Sequence, residues 1–178
     1  MLRIIPLDES EEPYRAPDIG WDGVAGDLIL NALDHPAAPG DLRAEQGLAT
    51  QVLIHLMTDR RVEESELPDG EQNRGWFGDS FDLMDGEGPL GSRLWLLRRR
   101  EIYESIEIDV EDHVREALEP LIAQGAVASV GVTVTVDRPG NRVDYVVTLT
   151  GRDGARVFER KFELLWRQIN GVVHPLAG

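Results

Sequence analysis

Residues 130–166 read VGVTVTVDRPGNRVDYVVTLTGRDGARVFERKFELLW. Val130, Val132, Val134 and Val136 alternate with Gly131, Thr133 and Thr135. After Pro139-Gly140-Asn141 the alternation resumes with Val143, Tyr145, Val147 and Leu149, and after Arg152-Asp153-Gly154 with Phe158, Phe162, Leu164 and Trp166. A period of two sends successive side chains to opposite faces of a strand. Short Pro, Gly, Asn and Asp segments between such runs are turns. The stretch therefore predicts a three-stranded antiparallel meander with one face to bury.

Upstream the period becomes helical. Leu42, Leu48, Ala49, Val52, Leu53, Leu56 and Met57 recur at three- and four-residue spacing, interrupted by Glu45, which predicts a helix capped by Asp41 and ending near Thr58-Asp59. Asp109–Gln124 predicts a second helix, capped by Asp109 and stopped by Gly125, with Val110, Val114, Ala117, Leu118, Leu121 and Ile122 inward. Pro120 should kink or shorten it. Ser92–Arg100 is a short apolar-then-basic element, helix or strand, with Ser92 as a possible cap. The fold class is α+β: two main helices packed on a C-terminal three-stranded antiparallel meander.

The remaining chain is punctuated. Residues 1–26 carry Pro6, Pro13, Pro17, Gly20, Gly23 and Gly26 and read as an extended N-terminal arm. Asp27–Asn31 suits a short strand. Residues 59–91 form a long middle loop, too long to be structureless in a compact domain without a docking or functional reason, and Trp76, Phe77 and Phe81 in it indicate packing. The organisation expected is an arm at 1–26, one domain at 27–170 and a C-terminal tail at 171–178.

Composition excludes several functions. The 178 residues hold 18 Lys+Arg against 33 Asp+Glu, a formal charge of −15, which opposes phosphate-tracking nucleic-acid binding. Cysteine is absent, removing disulfides and thiol chemistry. Neither a membrane-length apolar run nor a signal peptide is present. His35, His55, His113 and His174 form no HxH or HxxxH pair, and the acidic loop at Asp82, Asp85 and Glu87 does not match an EF-hand. No nucleophile elbow or phosphate-binding Gly motif occurs. With 33 carboxylates, a pair at hydrolase spacing carries almost no information. No catalytic, cofactor or metal residue is assigned. The arginines at 60, 61, 74, 93 and 98–100 cluster beside tryptophans, a composition of interfaces and of bidentate carboxylate pairs alike.

Three motifs then carry a resemblance. The first is Thr58-Asp59-Arg60-Arg61, followed by Pro68 and Arg74-Gly75-Trp76-Phe77-Gly78-Asp79; the second is Gly91-Ser92-Arg93-Leu94-Trp95-Leu96-Leu97-Arg98-Arg99; the third is Glu116-Ala117-Leu118 with Pro120-Leu121. In this order they resemble the Mu-type tailed-phage baseplate protein family, from about Asp18 to about Thr150. That family is similar to the wedge protein that initiates the tail sheath in T4-type phages. The wider group has Glu-Pro-Arg at the start of its sheet, where this chain has Glu119-Pro120-Leu121.

The resemblance implies a structural subunit of the virion tail baseplate, assembled in the host cytoplasm in six copies per baseplate. Its partners would be other wedge proteins, the tail hub or tube, and the sheath, with no nucleic acid or membrane. Its last strand, Val157–Arg167, would template the first sheath ring by strand addition. Arg60, Arg61, Arg74, Trp76, Arg93 and Trp95 would be the conformational and docking core, joined by Phe158, Phe162 and Trp166 on the last strand. Two other readings stand beside this one: a tail-associated, lysozyme-like cell-wall hydrolase and a free acidic adaptor.

Overall fold

The computed structural model describes residues 17–21, 25–36, 39–44, 46–81, 83, 88–98 and 102–165. The elements run β1 (Ile19–Trp21), β2 (Gly26–Leu28), α1 (Gly47–Met57), α2 (Ile106–Ala123), β3 (Ser129–Asp137), β4 (Arg142–Thr150) and β5 (Arg156–Leu165), with short 3-10 turns at Glu64–Glu66, Phe77–Ser80 and Leu94–Leu96. The C-terminal three form one antiparallel sheet in the order β3-β4-β5, giving the α+β fold that the alternation predicts. Val132 lies opposite Val147, and Tyr145 opposite Phe162. The β3–β4 turn closes on Asn141, at a φ of 47°, while Asp137 Oδ1 accepts the Gly140 N–H at 3.0 Å. A bulge at Leu149/Thr150 starts β5.

One face of the sheet is the core. Val130, Val132, Val143, Tyr145, Val147, Leu149 and Phe162 meet Val110, Val114, Ala117, Leu118 and Leu121 of α2 and Val52, Leu53 and Leu56 of α1. The Tyr145 and Phe162 rings stack at 5.3 Å. The opposite face carries Thr133, Thr135, Glu159 and Lys161, all exposed, so the strands alternate apolar and polar as a one-sided sheet requires. Asp144 there is held by Lys161 at 2.7 Å and Arg142 at 3.1 Å.

The first helix begins five residues later than its apolar spacing suggests. Asp41 does not cap it: the Asp41 carbonyl accepts the Asn31 N–H at 2.8 Å, and Leu42 bridges Leu30. The carboxylate at the start of α1 is that of Asp18, which is 1% exposed. It accepts the Gln46 N–H at 2.7 Å and the Arg43 guanidinium at 2.8 Å. Thr50 Oγ1 then accepts the Ile19 N–H at 3.1 Å. Inside the stretch read as an extended arm, Ile19–Trp21 thus form a strand paired with Gly26–Leu28 and seated on α1.

α2 starts at Ile106, not Asp109, which lies in the first turn and accepts a hydrogen bond from the Tyr103 hydroxyl. The helix continues through Pro120 to Ala123, and the proline forfeits there the one hydrogen bond that a backbone N–H would make to the Glu116 carbonyl. Gly125, at a φ of 75°, stops it. Of the stretch Ser92–Arg100, the described residues form a 3-10 turn at Leu94–Leu96, which follows Arg93 at the cap position and not Ser92.

Candidate interaction site

The middle segment is built on a short parallel pairing between the end of α1 and the Gly91-Ser92-Arg93 motif. Ser92 N–H donates to Thr58 O and Arg60 N–H to Ser92 O, both at 2.9 Å, while Ser92 Oγ donates to Leu56 O at 2.7 Å. Gly91 makes the approach possible: its φ is 110°, and a Cβ there would run into the Thr58 carbonyl. Trp95 is buried beneath with Val62 and Leu96, and its Nε1–H donates to Arg60 O at 2.9 Å. Asn73 closes the intervening loop, exchanging hydrogen bonds with both Val62 N–H and Val62 O.

The arginines named from sequence converge here, mostly in ion pairs. Arg60 Nη1 lies 2.9 Å from Glu116 Oε1 of α2, and Arg93 pairs with Glu116 at 3.5 Å and with Glu66. Arg74 Nη1 sits 2.6 Å from Asp59 Oδ2, and its guanidinium carbon lies 5.0 Å from the Trp95 ring centre, a cation–π contact. Arg61 is exposed, with its Cβ packed where a Cβ on Gly75 would come within 2.9 Å. The Glu116 pairs tie Arg60 and Arg93 to α2.

The six-membered ring of Trp76 packs against Gly78 and leaves no room there for a Cβ. Its ring is 5.5 Å from Phe77, and Phe77 is 5.8 Å from Phe81. Phe77 and Phe81 are 72% and 74% exposed. Leu90 N–H donates to Asp79 Oδ1 at 3.2 Å, fixing this turn to the segment before Ser92. Beside it opens a cleft of about 1510 Å³ that runs along Arg60–Asn73 to Leu83 and Pro89.

Trp95 and Phe162 are each 4% exposed and act from inside the fold, by placing Arg60, Arg74 and β5. Phe158 is partly buried against the main core, and Trp166 lies outside the described residues. Spacing did not single out Glu66, Glu116 or Asn73 as partners of this region. A carboxylate in a chain with 33 of them carries no sequence signal for its partner.

Two histidines border the site. His55, on α1, bonds to the Ala117 backbone, and burial holds its pKa below 6.5. His113, on α2, is likewise lowered, by burial and then by the Arg93 charge. Among the described residues, no three His, Asp or Glu side chains converge as a metal-ligand set. Nor is any helix there long and apolar enough to cross a membrane.

The molecule is thus a helix-then-meander α+β protein with a charged, aromatic middle segment. The family model described as "Phage protein GP46" matches residues 48–156. The chain belongs to this family of Mu-type phage baseplate proteins. It is 36% identical over 114 residues to the protein called "Baseplate protein gp46" of Escherichia phage Mu, covering 63% of this chain and 71% of that one. It is 35% identical over 112 residues to "Mu-like prophage FluMu protein gp46" of Haemophilus influenzae, covering 63% and 70%. The matched family region contains α1, the middle segment, α2, β3 and β4.

Proposed function

We propose that this chain is a structural subunit of a contractile-tail baseplate, bridging the hub or tube to wedge proteins and templating the first sheath ring through β5. The baseplate role is supported by the names of its relatives. The observation that carries the templating step is the position of β5. It pairs with β4 on one side and, among the described residues, with no strand on the other. The opposite edge strand, β3, differs: Arg115 Nη1 of α2 donates to Val130 O at 2.8 Å, occupying a carbonyl that a new strand would need. An edge strand with unoccupied N–H and C=O groups can accept a partner strand by main-chain pairing. The residues of the middle segment would hold the subunit on its wedge and hub neighbours, in six copies per baseplate.

The chain has no cysteine, so Glu159→Cys, on the exposed face of β5, gives a unique attachment point. A short cross-linker from it in purified tails is expected to reach the sheath subunit. Sheathed tails in which it reaches only non-sheath chains would overturn the templating role.

A further inference from the structure

The turn at Phe77–Ser80 holds a row of uncovered apolar side chains on a rigid base. Phe77 and Phe81 are more than two-thirds exposed, and Trp76 and Leu83 are 37% and 40% exposed. The row is not a floppy loop tip. Trp76 is seated on Gly78, Phe81 N–H donates to Gly78 O at 3.1 Å, and Asp79 is tied to Leu90. A fixed row of uncovered rings costs hydrophobic free energy in the isolated chain and marks a contact surface.

The shape and charge beside the row select its occupant. Neighbouring rings are tilted by 57° and 45°, making a ridge and not the flat platform on which a sugar stacks. The adjoining cleft takes Asp79 and Ser80 of the same turn into its wall and is lined by seven carboxylate side chains against three guanidinium groups. Two of those three, Arg60 and Arg93, are already paired to Glu116 and Glu66. Glu64 and Asp69 stand exposed at the rim. The cleft therefore repels phosphate and acidic polypeptide and attracts cationic side chains.

We propose that the Trp76–Phe77–Phe81 ridge and the acidic cleft beside it form one docking surface for a basic protein segment with apolar anchors. The ridge supplies the desolvated aromatic contacts that dominate interface energy, and the cleft supplies charge selection. The surface is separate from β5. The inference rests on the chain being an assembly component, but its test needs no particles.

The full-length chain is titrated with two synthetic peptides of equal length, one alternating Leu and Lys, the other Leu and Glu, and with a peptidoglycan oligosaccharide. The Leu–Lys peptide is expected to bind about tenfold tighter than the Leu–Glu peptide, weakening with salt. Phe77→Ser with Phe81→Ser should lose about tenfold of that affinity, as removal of aromatic anchors does. Glu64→Lys with Asp69→Lys should erase the preference for Lys. All four positions are exposed, so these variants should fold. Equal binding of the two peptides, or binding indifferent to the phenylalanines, overturns the proposal. Saccharide binding lost with the phenylalanines would make the ridge a sugar site instead. Absence of the chain from tail particles would sink the baseplate reading while leaving these affinities to be judged alone.

Discussion

The Asp18 carboxylate accepts the Gln46 backbone N–H at 2.7 Å across 28 positions of chain. One buried carboxylate thereby starts α1, neutralises Arg43 and fastens the N-terminal hairpin. The positive end of a helix favours such a charge. Asp18→Ala leaves the Gln46 N–H and the Arg43 guanidinium without this acceptor, and should cost about 1–3 kcal/mol. Urea unfolding measures it. A loss within error would show that water replaces the carboxylate at no cost.

Two glycines separate conformational strain from collision. Gly70 has a φ of 79° with open space around it, so Gly70→Ala should cost about 1 kcal/mol, the left-handed penalty alone. Gly91 has a φ of 110° and the Thr58 carbonyl against it, so Gly91→Ala should cost about 2 kcal/mol or more. Thermal melts of the pair test this. Equal costs would mean that the Thr58–Ser92 pairing shifts freely.

Glu116 takes Arg60 and, more distantly, Arg93 from α2. The pairs are about a quarter to a third exposed, so Glu116→Gln should cost only about 1 kcal/mol of global stability. Its larger effect should be local. Limited proteolysis between Arg60 and Arg74 should speed up well before the sheet unfolds. Unchanged cleavage would show that Trp95 and Asn73 hold the segment without the ion pairs.

Arg74→Ala removes an ion pair with Asp59 and a cation–π contact with Trp95, and Trp76→Ala removes a partly exposed ring. Both variants should keep the circular dichroism of the helices and sheet yet fail to enter tails. Unfolding of either in solution would make the residue a determinant of the fold and not of docking.

Stability should fall on acidification through the histidines. His55 and His113 have folded pKa values below 6.5, so the unfolded chain binds protons more readily. Their contribution is complete above about pH 6.5 and is lost as pH falls toward the folded values. Replacing both with Gln should flatten the stability profile between about pH 6.5 and 5. A slope unchanged by the double substitution would assign it to carboxylates.

The meander, its turns, the two helices and the arginine–tryptophan composition of the middle segment were legible in the linear chain. Strand alternation, helical spacing and turn residues act over a few neighbours, and a one-sided sheet needs a period of two. Helix starts were not legible. Asp41 and Asp109 have the right side chain for a cap, but position 41 is used in pairing with Asn31, and the carboxylate at α1 comes from Asp18. Tertiary contacts likewise sorted the aromatic residues into buried Trp95 and Phe162 and exposed Phe77 and Phe81, which local sequence does not separate. The same holds for Glu116: its place in the acidic series of α2 gives no hint of the two arginines it meets, because partners far apart in sequence are chosen by packing and not by spacing.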